Sequence, residues 1–357
     1  MKILISGVCG FVGSVIARGL LECERSVEII GLDNLIRPGS GLNALPLRTL
    51  GVKVRHADVR LASDLESLPA VDWIIDAAAN PSVLAGVFGN TTSRQVIEHN
   101  LGGSINLLEI AKRHQACFSL LSTSRVYSIA RLAELPVQVK DHAFQIDESA
   151  LLPHGISALG IDETFSTLPP ISLYGATKLA SEILALEYGN AFDFPVWINR
   201  CGVMAGAGQF GRPDQGIFAY WINAYLRGEP LKYIGLGGTG RQTRDCFHPR
   251  DLLPLLLRQF RSGECNKPRV INLGGGLANT MSLAQLTRWC AARFGQRRIA
   301  VEPAPRPFDV PWVVIDSHLA EQIWNWRPAE DLESILTEIA AHAEAHPEWL
   351  RISASHE

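Results

Sequence analysis

The chain has 357 residues, of which 47% are hydrophobic and 19% are charged, and its formal net charge is −3. This length is enough for one large domain, or for two that share an interface, with a sizeable core. A near-neutral balance without a basic block excludes a nucleic-acid partner, and no apolar run of about 18 residues is present to span a membrane.

The pattern of the seven cysteines indicates the redox state of the protein's cellular compartment. They are odd in number and widely scattered, and none forms a CxxC pair, which is typical of reduced thiols and not of a disulfide frame or a zinc site. The ten histidines show no HExxH spacing, so we predict no metal. The amino-terminal segment lacks the apolar stretch and small-residue cleavage site of a secretory leader. We therefore expect a cytoplasmic protein.

Strand and helix patterns alternate along the first 200 residues. Short apolar runs indicate strands, whereas apolar residues repeating every three to four positions indicate helices. The predicted strands lie at 2–6, 27–32, 53–56, 73–78, 118–122 and 196–200, and the predicted helices at 11–23, 96–114 and 173–188. This alternation predicts an α/β fold with a Rossmann-type doubly wound parallel sheet.

The pattern becomes less regular after residue 200. Gly and Pro cluster between short segments, and a final amphipathic helix is predicted at 331–346. A long insertion containing prolines occupies 129–172. We predict a first domain over 1–200 and a smaller C-terminal region over 201–357, with the segment near 244–260 returning to the first domain.

A glycine-rich loop joins the first predicted strand to the first predicted helix. Gly7 allows a tight turn, Gly10 lets the backbone approach a pyrophosphate, and Gly13 lets helix and strand pack closely. The helix begins at Phe11 and Val12, so its N-terminus faces the phosphates. The loop therefore predicts a dinucleotide cofactor and assigns the first domain to binding it.

An acid follows the second strand at the distance such a site requires. The carboxylate of Asp33, about 20 residues beyond the last glycine, can accept from both adenosine ribose hydroxyls and would repel a 2′-phosphate, which favours NAD over NADP. Arg37 leaves NADP open, because a nearby arginine can pair with a 2′-phosphate. The further residues expected at the cofactor are Asn34, Gly39, Ser40, Asp58, Val59, Ala77, Ala78 and Ala79.

A proton-handling pair occurs on the predicted helix at 173–188. Tyr174 and Lys178 are i and i+4, so they share one face. A free tyrosine titrates at about 10, and a neighbouring ammonium and the positive nicotinamide lower that pKa. Lys178 can also hold the nicotinamide ribose. Thr123, with Ser122, ends the fifth strand and can donate to a sugar oxygen. The chain therefore contains, in this order, a glycine loop, strand-ending hydroxyls and a Tyr/Lys pair. This order predicts nicotinamide chemistry on a sugar carbinol.

These residues resemble the extended short-chain dehydrogenase/reductase family, the NAD-dependent nucleotide-sugar epimerases and dehydratases. The resemblance covers nearly the whole chain and is strongest to the CDP-paratose 2-epimerases, through the insertion ending at 160–163 and the Gln-Phe…Asp-Gln-Gly run at 209–216. It implies a nucleotide-diphosphate sugar substrate, NAD that stays bound, epimerisation through a transient ketone, and a homodimer through the helices at 96–114 and 173–188.

The resemblance also implies individual contacts. Arg244 and Arg306 are expected at the diphosphate, because a guanidinium binds phosphate in a bidentate manner. Asn100 is expected to fix the backbone near Thr123. The other residues expected on the cofactor side are Asn100, Ser122 and Arg200. Those expected on the substrate side are Asn80, Thr123, Ser124, Arg125, Gln209 and Gln215.

Alternatives remain open at this point. A 4-epimerase acting on a UDP- or dTDP-sugar would use the same residues. A non-catalytic dinucleotide sensor would share the fold but would be free to lose Tyr174 and Lys178. A 4,6-dehydratase is disfavoured, because such relatives carry Asp-Glu directly after the catalytic threonine, where this chain has Ser124 and Arg125.

Overall fold

The computed structural model describes residues 1–24, 26–88, 91–262 and 267–354. Its strands are β1 Lys2–Ser6, β2 Glu28–Asp33, β3 Lys53–His56, β4 Trp73–Asp76, β5 Cys117–Thr123, β6 Val137–Lys140, β7 Ala143–Ile146, β8 Ile156–Ser157, β9 Gly160–Ile161, β10 Val196–Cys201, β11 Val203–Met204, β12 Lys232–Ile234, β13 Thr243–Phe247, β14 Val270–Leu273, β15 Thr280–Ser282, β16 Ala300–Glu302 and β17 Trp312–Val313. Its helices are α1 Phe11–Cys23, α2 Gly41–Thr49, α3 Ala62–Glu66, α4 Ser93–Ile97, α5 Gly103–His114, α6 Ile129–Ala133, α7 Ser172–Phe192, α8 Ile217–Arg227, α9 Leu252–Ser262, α10 Leu283–Phe294, α11 His318–Trp324, α12 Leu332–Ala345 and α13 Trp349–Ser353.

The central sheet is parallel throughout, in the order β14-β10-β5-β4-β1-β2-β3. Side chains alternate across it: Ile3 and Ile5 of β1 pack with α1 and α9 on one face, and Leu4 packs with α5 and α7 on the other. Because both faces are covered, the strands are apolar without interruption. The predicted Rossmann-type, doubly wound sheet is confirmed.

Two features of this layer differ from the expectation. The edge strand β14 was not predicted, since its short apolar run lies beyond the alternating region. The helix predicted at 96–114 begins earlier, at a capping box formed by Thr92 and Gln95, and is interrupted by a π-helical turn at Glu98–Gly102. That turn aims Asn100 into the protein, where it is 1% exposed.

The chain after residue 200 forms a second layer and also returns to the first. Strands β11, β13, β15 and β17 make a small sheet, and α8, α10 and α12 bury a separate apolar cluster. The segment near 244–260 divides between the layers, because β13 belongs to the small sheet whereas α9 packs against α1. Trp324 and Trp326 also join the core of the first layer.

The described cysteines are free thiols, and Cys265 lies outside the described residues. Burial raises the pKa of Cys9, inside the glycine loop, to about 12, so this thiol stays protonated at neutral pH. Within the described ranges, the helices are all too short or too polar to cross a bilayer.

Candidate active site

The strands of the central sheet end at a common edge, and a cavity of about 630 Å³ opens there. Ligand pockets measure roughly 300–1,000 Å³, and in an open α/β sheet this edge is where ligands bind. The predicted site residues that line the cavity are Gly7, Gly10, Phe11, Val12, Asp33, Asn34, Arg37, Ser40, Asp58, Val59, Ala77, Ala78, Ala79, Ser122, Thr123, Ser124, Arg125, Tyr174, Gln209, Gln215, Arg244 and Arg306. The predicted site residues that do not line it are Gly39, Asn80, Asn100, Lys178 and Arg200.

The glycine loop forms one end of the cavity. Gly7 has a φ of +63°, and a Cβ there would lie 3.0 Å from Cα of Ala78. A Cβ on Gly13 would lie 2.3 Å from the carbonyl oxygen of Gly7, so helix and strand approach as closely as the sequence predicts. Helix α1 follows Gly10 and has no side-chain cap, which leaves its first backbone N–H groups for a ligand. This loop fits a pyrophosphate.

Asp33 lies beside this loop, at the end of β2. Its two carboxylate oxygens accept the backbone N–H groups of Cys9 and Leu35, each at 2.8 Å. Burial raises the pKa of Asp33, and these backbone N–H groups oppose that shift. Each carboxylate oxygen keeps a lone pair, so Asp33 can anchor the loop and still accept ribose hydroxyls.

Arg37, which left NADP open, is engaged elsewhere. Its guanidinium donates to the carbonyl oxygen of Phe210 and to Oε1 of Gln215, the latter at 2.6 Å. Gly39 also packs against Phe210, since a Cβ on Gly39 would lie 2.5 Å from the Phe210 ring. The loop at 34–40 is thereby tied to the segment at 209–216, and Arg37 is not directed at a free anion.

Asp58 closes the cofactor end of the cavity. Arg60 holds its carboxylate with a bidentate contact at 2.9 and 2.6 Å, and Nδ2 of Asn34 donates to it at 3.1 Å. The Arg60 guanidinium holds the pKa of Asp58 well below its usual range. Arg60 and His99 also line the cavity; neither was predicted, because neither belongs to a recognised motif.

Tyr174 lies at the middle of the cavity, near the start of α7, with 7% of its surface exposed. Burial raises its pKa to about 12, while a hydrogen bond with Thr123 and the positive charge of Arg125 oppose that shift. A phenolate at neutral pH therefore needs further positive charge.

Lys178 lies one turn along the same face of α7, and 2% of it is exposed. Burial lowers the pKa of Lys178, and the carboxylates of Asp76 and Glu182 oppose that shift. Asp76 is itself held by the hydroxyls of Ser6 and Ser104, at 2.7 and 2.6 Å. The ammonium therefore lies behind the cavity wall, between two fixed carboxylates.

Glu182, one further turn along α7, was not predicted. It forms an ion pair with Arg200, whose Nη2 lies 2.8 Å from Oε2, and it accepts the hydroxyl of Ser122. Arg200 also reaches the hydroxyl of Tyr127 at 3.4 Å. Arg200 and the Ser122 hydroxyl thus belong to a buried network that fixes α7 to β5 and β10. The spacing of Tyr174, Lys178 and Glu182 was the available signal.

Asn100 fixes the backbone after β4. Its Oδ1 accepts the N–H of Asn80 at 2.8 Å, and its Nδ2 donates to the carbonyl oxygen of Asn80 at 3.2 Å and to Thr177 at 3.1 Å. Asn80 is therefore bound through its main chain, and Asn100 joins the cofactor-lining segment to α7.

The other end of the cavity is cationic. Arg244 on β13 donates to the carbonyl oxygens of Thr243 and Val310, at 2.7 and 2.9 Å, and lies 3.7 Å from Asp309. Burial, together with the nearby positive charges of Arg125 and Arg306, lowers the pKa of Arg244 to about 10.

Arg306 donates to the carbonyl oxygen of Pro213 at 3.2 Å. Arg125, Arg244 and Arg306 therefore converge near one carboxylate, that of Asp309. Asp309 was not predicted as a site residue, although it ends the same short motif as Arg306. Three guanidinium groups share the carboxylate of Asp309, and guanidinium groups bind phosphate oxygens well, so this end suits an anionic ligand.

Gln209 and Gln215 lie between the two ends. The amide nitrogen of Gln209 donates to the carbonyl oxygen of Met204 at 2.8 Å, whereas its Oε1 is buried and has no partner among the described residues. An unpaired buried acceptor on a cavity wall indicates a ligand donor. Gln215, by contrast, uses its Oε1 to accept from Arg37.

Comparison with known proteins gives one family. A profile of the NAD dependent epimerase/dehydratase family matches residues 3–274. The CDP-paratose 2-epimerase of Salmonella typhi is 28% identical over 299 residues, covering 80% of this chain and 82% of that protein. A probable UDP-glucuronate 4-epimerase of Rhizobium meliloti is 25% identical over 366 residues, covering 93% and 94%. The UDP-glucuronic acid 4-epimerase of Bacillus cereus, solved with UDP-glucuronic acid and NAD, has a TM-score of 0.75 at 24% identity, covering 97% and 99%.

Proposed function

The chain belongs to the NAD-dependent epimerase/dehydratase family, and we propose that it epimerises a nucleotide-diphosphate sugar through a transient ketone, using NAD that stays bound. The favoured substrate is a CDP-linked dideoxyhexose inverted at carbon 2. The observation that carries this proposal is one cavity that Tyr174 and Thr123 line together with the glycine loop and the arginines Arg125, Arg244 and Arg306.

The residues at the cofactor end fit NAD. Gly7 and Gly10 supply the close backbone approach, the uncapped start of α1 supplies N–H groups to the pyrophosphate, and Asp33 supplies acceptors to the ribose. Arg37 is bound to the 209–216 segment, which favours NAD over NADP. When bound, NAD accepts a hydride from a carbinol carbon and can return it.

The chain's own residues handle the proton and the orientation of the sugar. Tyr174 takes the hydroxyl proton as the ketone forms and gives it back when the alcohol is restored. Thr123 lies beside Tyr174, and its hydroxyl turns to donate to the same sugar oxygen when substrate is bound. Lys178 lies one turn away and adds positive charge behind the phenol. Arg244 and Arg306 hold the diphosphate while the ketone turns over.

The choice of a CDP-sugar follows from the resemblance to CDP-paratose 2-epimerases. Among described residues the cavity is lined by none of the insertion at 129–172. That insertion instead buries Ile146 and Ile161 against Tyr127 and the segment at 310–315. It thus supports the turn that carries Arg125 and the strand that follows Arg306 and Asp309. Its influence on specificity is therefore indirect.

Two alternative functions remain compatible with this site. A 4-epimerase of a UDP- or dTDP-sugar would use the same Tyr174, Thr123 and arginines, and relatives of that kind match this chain at similar identity. A dinucleotide sensor would bind NAD without turnover. The buried, cavity-facing Tyr174 and the cationic pocket favour an enzyme, because a sensor needs neither.

We also propose a cytoplasmic homodimer. Helix α4 packs against α7, and each presents an apolar side chain to the surface: Ile97 is 44% exposed and Ile183 is 55% exposed. Pairing of α4, α5 and α7 between two copies would cover both side chains. Sedimentation of the wild-type chain beside Ile183→Glu tests it: a dimer that becomes a monomer is expected, and a wild-type monomer contradicts it.

Incubating the purified chain with CDP-, UDP-, GDP- and dTDP-linked sugars tests the proposed function. Epimerisation of a CDP-sugar, with NAD released on denaturation, is the expected result. Epimerisation of only UDP- or dTDP-sugars at carbon 4 would support the first alternative. Bound NAD without turnover of any sugar nucleotide would support the sensor.

A further inference from the structure

Arg125 differs from the other arginines at the cavity. Arg37, Arg60, Arg244 and Arg306 each donate to an acceptor within the chain. Arg125 also lines the cavity, but among the described residues its guanidinium has no hydrogen-bond partner. A guanidinium carries five N–H donors, so Arg125 holds its full binding capacity ready for a ligand.

The backbone of Arg125 is firmly placed. Its N–H donates to the Thr123 hydroxyl at 3.2 Å, and its carbonyl oxygen packs on Gly175, where a Cβ would lie 2.3 Å away. The next residues, Val126 and Tyr127, are completely buried. The turn is therefore fixed between the proposed hydroxyl donor and the first turn of α7, directly beside Tyr174.

The charges around Arg125 call for an anion. Asp309 attracts its guanidinium and Arg306 repels it, and burial lowers its pKa. The one carboxylate, Asp309, is shared with Arg244 at 3.7 Å. A half-buried guanidinium with unused N–H donors binds an anion favourably, so an anionic group of the ligand is expected against Arg125.

We propose that Arg125 binds the phosphate attached to the sugar, beside Tyr174, and so selects carbon 2 of the hexose for oxidation. This inference rests on the proposed function and deepens it. Arg125 adjoins Tyr174 through its contact with Gly175, and it shares the carboxylate of Asp309 with Arg244, so a phosphate on its guanidinium lies close to Tyr174. In a hexosyl diphosphate, carbon 2 is bonded to the carbon that carries the phosphate, whereas carbon 4 lies across the ring. A phosphate near the base therefore presents carbon 2.

The first arm of the test locates the oxidised carbon. Sodium borodeuteride is added during turnover of a CDP-sugar, and of a UDP-sugar in parallel, to reduce the transient ketone. Deuterium at carbon 2 of the recovered hexose is the expected result. Deuterium at carbon 4 would overturn the inference while leaving an epimerase.

The second arm measures binding without turnover. Calorimetry compares the binding of CDP with that of CMP, and of UDP with that of UMP. The proteins are the NAD-loaded wild type, Arg125→Met, Arg125→Lys and, as a control, Arg288→Met. Arg288 is exposed and pairs with Asp141. Whichever of CDP and UDP binds the wild type more tightly should bind Arg125→Met about 10- to 100-fold more weakly, because one charge-assisted contact is lost. Binding of the corresponding monophosphate should change far less. Arg125→Lys should recover part of the loss, and Arg288→Met should bind as the wild type does.

The two failures are distinguishable. If Arg125→Met binds the diphosphate normally while Arg306→Met does not, the inference is wrong and the proposed function stands. If no sugar nucleotide is turned over but Arg125→Met still loses the diphosphate selectively, the phosphate contact is right and the proposed reaction is wrong. Matching melting temperatures of the variants exclude a folding defect.

Discussion

The two ends of the cavity are built differently. The cofactor end uses backbone and short side chains from the first 80 residues, at the ends of successive strands from Gly7 to Ala79. The substrate end uses three long side chains, Arg125, Arg244 and Arg306, from segments more than fifty residues apart. Local order is therefore enough to identify the cofactor, whereas the substrate depends on how distant segments meet. Substitutions that disturb one end should leave the other intact.

The largest effect should come from the residue between the two ends. Tyr174→Phe should lower turnover by about 10²–10⁴-fold, the usual range for losing a general base, with NAD content and nucleotide-diphosphate binding unchanged. Tyr188→Phe is the matched control on the same helix, because its hydroxyl contacts Glu109 and lies outside the cavity lining. Near-normal turnover in Tyr174→Phe would move the base elsewhere.

A substitution at the cofactor end should separate cofactor choice from substrate binding. Asp33→Asn should weaken NAD binding about 10- to 100-fold, the value of a charged hydrogen bond, and should narrow its preference over NADP. Dinucleotide content after dialysis and fluorescence titration measure this, with Asp72→Asn as a control at the opposite edge of the sheet. Unchanged NAD affinity would remove Asp33 from the ribose site.

A substitution at the substrate end should do the reverse. Arg306→Met should raise KM for the sugar nucleotide about tenfold, because one charged contact to the substrate is lost. The effect should be moderate, since part of the Arg306 guanidinium is already engaged by the carbonyl oxygen of Pro213. NAD content should stay at the wild-type level. Loss of NAD from this variant would show that the two ends are not independent.

The smallest effect is expected from Thr123→Val, which keeps the shape of the side chain and removes one donor. Turnover should fall by roughly tenfold or less, well short of the Tyr174→Phe loss. Steady-state kinetics of the two single variants and the double variant measure it. A loss as large as that of Tyr174→Phe would make Thr123 the proton acceptor.

The sequence predicts the parts of this molecule that are local. The strand–helix alternation gave the doubly wound sheet, and the spacing of Gly7, Gly10 and Gly13 gave the loop, because each depends on neighbours in the chain. The edge strand β14 and the π-helical turn holding Asn100 were not foreseen, since only tertiary partners stabilise them. Glu182 on α7 was not predicted for the same reason, because its partner Arg200 lies on strand β10.

The placement of predicted residues shows the same limit. Arg200 and Ser122 were expected at the cofactor. Glu182 engages both, through an ion pair with Arg200 and a hydrogen bond from the Ser122 hydroxyl, and only Ser122 lines the cavity. Arg37 was ambiguous in the sequence, and its bond to Gln215 at 2.6 Å explains its role as a link between loops. Charged side chains act through partners that a linear pattern does not reveal.

The central claim is inversion through a ketone with return of the same hydride. Tyr174 and Thr123 line the cavity together, and one proton carrier beside one hydride acceptor is enough for this route. Deuterium is placed on the reacting carbon of the accepted sugar nucleotide, and product is analysed by mass spectrometry. The account predicts that the label stays in the product and that no solvent deuterium enters. Wash-out of the label into water would mean deprotonation and reprotonation at carbon, and would contradict it.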